Sequence, residues 1–141
     1  MAKFCMDAKS SLTRSWLIKA RRDLLSAQKL ARGKEPYYDT AIYHCQQAAE
    51  KAVKGWLVYH DTSFGKTHDL RLLVTLAMQA EPRFTEWQDA AALISPYAMA
   101  YRYPGEELEP TEEEFKEVLK SVGKLYEFVC SLLPSQVSAY S

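Results

Sequence analysis

Apolar positions along this chain repeat at intervals of three and four, the period of a helix face. Leu17, Ala20, Leu24, Ala27 and Ala31 mark a first helix from about Thr13 to Ala31, closed by Gly33 and Pro36. Ala41, Cys45, Ala49, Ala52 and Trp56 mark a second, from about Tyr38 to His60. On its opposite face fall Tyr43, Gln47, Glu50 and Lys54, with Lys51 beside them. The small residues Ala48, Ala49 and Ala52 would let another helix approach closely. Thr67 reads as the cap of a third helix from His68 to Ala80, with Asp69 at the positive end of its dipole and Pro82 after it.

A fourth helix is predicted from about Glu86 to Tyr101, with Trp87, Ala91, Ile94 and Ala98 inward and a kink near Ala92 or Leu93 caused by Pro96. The last has the clearest start. Thr111 and Glu114 have the spacing of a capping box, and Phe115, Val118, Val122, Leu125, Val129 and Leu132 form its stripe up to Pro134. Long amphipathic helices, short loops and no credible strand predict an all-α, up-and-down antiparallel helical bundle of about five helices. The bundle spans 12–133, with 1–11 and 134–141 as flexible termini.

Length and composition agree with one globular domain. At 141 residues the chain buries roughly two-thirds of its unfolded surface. The 48% hydrophobic and 26% charged fractions are ordinary, and the formal net charge of zero argues against a general affinity for nucleic acid. Charge is segregated, however. Arg14, Lys19, Arg21, Arg22, Lys29, Arg32 and Lys34 face only Asp23 in the first helix region, whereas seven glutamates lie between Glu106 and Glu117 against Lys116 alone. Three scattered cysteines, Cys5, Cys45 and Cys130, form neither a disulfide framework nor a zinc site, which fits a reducing cytoplasm. No apolar run has signal-peptide length and none could span a bilayer.

Three motifs then stand in order: Gln46-Gln47-Ala48-Ala49-Glu50-Lys51-Ala52-Val53-Lys54, Thr67-His68-Asp69-Leu70 and Tyr101-Arg102-Tyr103-Pro104. Their order and spacing resemble the HEPN domain (higher eukaryotes and prokaryotes nucleotide-binding) over roughly Leu12 to Leu133. The resemblance implies a small all-helical domain, usually dimeric and often the partner of a minimal nucleotidyltransferase. HEPN ribonucleases carry an arginine followed after four to six residues by a histidine. Here the histidines are His44, His60 and His68, none lies that close behind an arginine, and none follows Arg102.

The residues offer several chemistries. Arg14, Arg21 and Arg32 align on the first helix and could meet phosphate or the acidic segment; Ile18 and Leu25 interrupt the stripe and favour a protein contact. Arg102, at a proline turn between two tyrosines, could bind an anion, stack on a base or cap the helix before it. His68 sits at a helix start, where backbone N–H groups attract phosphate. No metal cluster, glycine-rich phosphate loop, nucleophile motif or cofactor signature is present.

The sequence therefore reads as a non-catalytic, homodimeric HEPN-type module. Its expected ligand is a nucleotide or similar anion, its expected partner a minimal nucleotidyltransferase in a toxin–antitoxin-like system, and RNA is not its expected partner. Candidate ligand residues are Gln47, Lys51, His68, Arg102 and Tyr103. Lysine and arginine would neutralise phosphate, tyrosine would stack on the base, and glutamine would bond the base edge or ribose. The competing readings are a toxin-like ribonuclease with a diverged site around Arg102 and His68, and a purely structural dimer subunit.

Overall fold

The computed structural model describes residues 7–105 and 109–138. It is an all-α bundle, with no strand among the described residues. The α-helices are α1 (Ala8–Leu30), α2 (Tyr38–Tyr59), α3 (Leu70–Ala80), α4 (Gln88–Ile94), α5 (Glu112–Ser131) and the single turn α6 (Ser135–Ser138). Two 3-10 segments, Pro82–Trp87 and Ser95–Ala98, flank α4.

Helix α2 is the centre, packed along α1 and against α5 and α3. Its predicted inner face is buried throughout: Ala41, Cys45 and Ala52 are fully covered, and Ala49 and Trp56 nearly so. Gly55 sets the closeness of the α1–α2 contact, since a Cβ there would stand 3.0 Å from Trp16 Cβ and 3.4 Å from the Thr13 carbonyl oxygen. Burial continues around the helix. Glu50 and Lys54, on the face that the pattern marks as polar, are under a tenth exposed, as is the neighbouring Gln46, while Tyr43, Gln47 and Lys51 are half-buried. A helix enclosed on most sides keeps polar residues only where they find partners.

The helix ends follow their capping chemistry. Asp7 accepts from the Ser10 amide at 2.7 Å and starts α1 five residues before the predicted Thr13. Asp69, not Thr67, caps α3 by accepting from the Arg71 amide at 3.0 Å, while Thr67 Oγ1 accepts from the Asp69 amide. Thr111 caps α5 as predicted, accepting from the Glu114 amide at 3.0 Å. The Glu114 carboxylate also accepts a hydrogen bond from the Tyr97 hydroxyl, tying α5 to the second 3-10 segment. Burial, helped by that bond, pushes the Tyr97 phenol above its ordinary pKa.

The predicted fourth helix is three pieces. Pro82 opens a 3-10 segment, and Pro96 lies at the start of another instead of kinking a continuous α-helix. Proline is compatible with a first helical turn and costly inside one, so the chain restarts at each proline. Ala91 and Ile94 hold the inward positions, while Trp87 and Ala98 are half-buried. On α5, Phe115, Val118, Val122, Leu125 and Val129 face the core. Beyond it, Val137 and Ser138 are buried against α1, and Arg14 donates to the Gln136 carbonyl at 3.1 Å, where the pattern predicts a free tail. The rest of the predicted flexible termini, 1–6 and 139–141, lies outside the described residues.

Candidate functional site

Two carboxylate–histidine pairs flank the central helix. Asp23 of α1, 8% exposed, bonds His44 Nδ1 at 2.8 Å and Lys51 Nζ at 2.6 Å. Glu50, 2% exposed, bonds His68 Nδ1 at 2.8 Å and has Lys54 Nζ at 3.7 Å on the same oxygen. Lys54 is itself buried between the rings of Trp16 and Phe64, its ammonium 5.7 and 5.4 Å from their centroids. A carboxylate only accepts, so in each pair the shared proton belongs to the histidine Nδ1. Each ring is thereby oriented by a group behind it, with Nε2 as its other nitrogen. Burial, with the Asp23 charge second, pushes the neighbouring Cys45 thiol up to about 12. It is a packed thiol and not a nucleophile; Cys130 is half-buried.

Arg102 stands at the end of the turn after the second 3-10 segment. It donates from Nη1 to the Ala98 carbonyl at 3.0 Å, and its guanidinium carbon lies 4.3 Å over the Tyr43 ring and 5.6 Å from the Tyr103 ring. Guanidinium on an aromatic face is favourable and holds the planar fork still. The preceding Tyr101 has φ of +66°, a left-handed conformation that is an outlier for a bulky residue, and its ring stacks on Tyr97 at 6.2 Å. One N–H of the guanidinium is used by Ala98, which leaves most of its donor fork for an anion.

Gln47, His68 and Arg102 line one cavity of about 350 Å³, together with Tyr43, Asp69 and Ser95. Gln47 donates from Nε2 to Gln46 Oε1 at 2.7 Å, and Gln46 reaches the His68 carbonyl at 3.4 Å. Ser95 donates to Asp69 Oδ1 at 3.0 Å. Burial alone would raise the Asp69 carboxyl; the bonds from the Arg71 and Ser95 side chains and the Arg71 amide outweigh it and hold the pKa below its ordinary value. The cavity thus holds one guanidinium and one carboxylate.

The remaining sequence candidates are placed elsewhere. Lys51 points to Asp23 and does not line this cavity, and Tyr103, 52% exposed, lies near Arg102 without lining it. Tyr43, Asp69 and Ser95 join the cavity without having been singled out as ligand residues. Asp23 had a visible signal, as the lone acid in a basic helix; the Glu50–Lys54 spacing of four was another. Among the described residues no group of three or more histidine, cysteine, aspartate or glutamate side chains is placed to hold a metal ion.

A helical bundle carrying an exposed arginine, an amide and a carboxylate-backed histidine on one cleft is the class defined by fold and site. The HEPN domain family matches residues 13–133, and the chain belongs to it. Two solved structures resemble it. One is that of ST0689, an archaeal HEPN homologue, 24% identical over 85% of this chain and 96% of its own, with a TM-score of 0.69. The other is TT1696 from Thermus thermophilus, 29% identical over 86% of this chain and 98% of its own, with a TM-score of 0.67. No curated protein matches the chain. No helix among the described residues is long and apolar enough to cross a membrane.

Proposed function

We propose that the chain is a non-catalytic HEPN module of the cytoplasm that forms a homodimer. It binds a nucleotide or similar anionic ligand weakly in the cleft beside α2 and pairs with a minimal nucleotidyltransferase in a toxin–antitoxin-like system. The observation that carries the ligand reading is the convergence of Gln47, His68 and Arg102 on one cavity. Arg102 takes phosphate through charge-assisted, bidentate hydrogen bonds. Because Asp69 repels phosphate, the phosphate sits at Arg102 and the base or ribose lies toward Asp69. Support for the dimer comes from α1 and α5, where Ile18 and Leu25 are 38% and 49% exposed beside an apolar groove of about 730 Å³. A two-fold pair is the commonest way to cover such a surface.

Calorimetric titration with ATP and GTP tests the ligand. Binding is expected to be salt-sensitive, weakened by Arg102→Lys although charge is kept, and little changed by Lys29→Ala on the α1 stripe. RNA incubated with the pure protein is expected to stay intact. Cleavage lost in His68→Ala would instead establish the ribonuclease reading, and neither binding nor cleavage would leave a structural subunit. Light scattering at micromolar concentration tests assembly, and a mass of 16.1 kDa throughout would refute the dimer.

A further inference from the structure

The cavity holding Gln47 and His68 has a neighbour. A second cavity, of about 310 Å³, is lined by Asp39, Thr40, His44 and Tyr101, and it shares Tyr43 and Arg102 with the first. The Arg102 guanidinium, held on the Tyr43 ring, is therefore common to both. Among the described residues it is the only arginine or lysine lining either one.

The two cavities match each other in chemistry. Each contains a carboxylate, Asp39 in one and Asp69 in the other. Each also contains a histidine whose Nδ1 is taken by a buried acid, His44 by Asp23 and His68 by Glu50. In both rings the neutral form offers Nε2 as an acceptor. The acids behind the histidines already have lysine partners, Lys51 and Lys54. Acceptors thus dominate both ends, and the single strong anion-binding group lies between them. Such a pair of cavities suits hydroxyl and amino donors at both ends and a phosphate in the middle.

We infer that the ligand of this cleft is a free dinucleotide, two nucleosides joined through phosphate, with the linking phosphate on Arg102 and one nucleoside in each cavity. The inference rests on the nucleotide-binding reading above and names its substrate class. Charge favours it over a mononucleotide. A terminal phosphate carries about −1.5 to −2 at neutral pH, whereas a linking diester carries a single negative charge. One guanidinium neutralises the diester, and an excess negative charge would face Asp39 and Asp69. Size agrees as well, because each cavity alone lies at the lower end of the roughly 300–1,000 Å³ usual for ligand pockets. A long strand is disfavoured by the chain's zero formal charge, which supplies no extended basic track.

The test is calorimetric titration of the intact protein with AMP, with adenylyl-adenosine and with a ten-residue oligoadenylate. Adenylyl-adenosine is expected to bind about tenfold or more tighter than AMP, because it fills both cavities, and the decamer no tighter than the dinucleotide. Thr40→Trp, which fills the second cavity from an exposed position, is expected to bring adenylyl-adenosine down to the affinity of AMP. His44→Gln is expected to reduce the preference in the same way. Equal affinity of wild-type protein for AMP and adenylyl-adenosine would overturn the inference while leaving the nucleotide reading intact. Tighter binding of the decamer would overturn it in favour of a strand. If none of the three bound while ATP or GTP did, the inference would fall and the nucleotide reading would stand; if none of the five bound, both would fall.

Discussion

The Glu50–Lys54 pair gives the sharpest test of how α2 is held. Both side chains are nearly enclosed, at 2% and 8% exposed, and their charged atoms are 3.7 Å apart. Enclosed charges cost several kcal/mol to desolvate, and removing one member of such a pair usually costs about 3–5 kcal/mol. The loss is expected to be unequal here. After Lys54→Met, Glu50 still has His68 at 2.8 Å, so a cost of about 2–3 kcal/mol, below the usual range, is expected. After Glu50→Leu, the ammonium keeps only the faces of Trp16 and Phe64, worth about 0.5–2 kcal/mol, and a cost of about 3–4 kcal/mol is expected. The double variant removes both charges and leaves apolar side chains of similar volume, so most of the loss should return. Urea unfolding of the four proteins measures this, the midpoint of a single variant falling by roughly 1–3 M for a loss near 3 kcal/mol at ordinary slopes. Strict additivity, with the double variant as unstable as the two single losses together, would refute the account of a mutually dependent buried pair.

Three further outcomes follow from the packing. Gly123→Ala fills open space on α5 and should stabilise by about 0.5–1 kcal/mol, whereas Gly55→Ala should destabilise, because its Cβ meets Trp16 Cβ and backbone that cannot swing away; thermal melts decide between the signs. Thr111→Ala should cost about 0.5–2 kcal/mol through the lost cap, and Val122→Ala, at a fully buried position, about 2–3 kcal/mol; a larger loss in Thr111→Ala on chemical denaturation would contradict the position of α5 in the core. His60 is exposed on one side but stacks on Trp56 at 4.0 Å, and the partial loss of water around the stacked ring first, then the Lys9 charge, lower its pKa from 6.5. The unfolded chain therefore binds more protons in the window just below 6.5, so this contribution to stability is present above that pH and is lost as pH falls toward the folded value. Urea midpoints at pH 7.5 and 5.5 should show that part of the pH dependence missing in His60→Gln.

Much of the fold is local physics and could be read along the chain. The stripes of α1, α2 and α5, the Thr111 cap and the all-helical class follow from period and capping, which involve residues within a few turns of one another. The HEPN membership was legible for the same reason, since its motifs are short and ordered. What the tertiary structure decided is everything that depends on which element lies opposite another. A polar residue at helical spacing looks alike whether it meets water or a buried partner, so the enclosure of Gln46, Glu50 and Lys54 appears only when α1, α3 and α5 surround α2. Likewise Lys51 is turned to Asp23 by the approach of α1, 28 residues away in sequence. The chain pattern extends one helix through Pro96, but the competition between proline sterics and packing breaks it into α4 and two 3-10 segments. That break sets the turn carrying Arg102, and only then do Tyr43, His68 and Arg102, each on a different element, come to line one cavity.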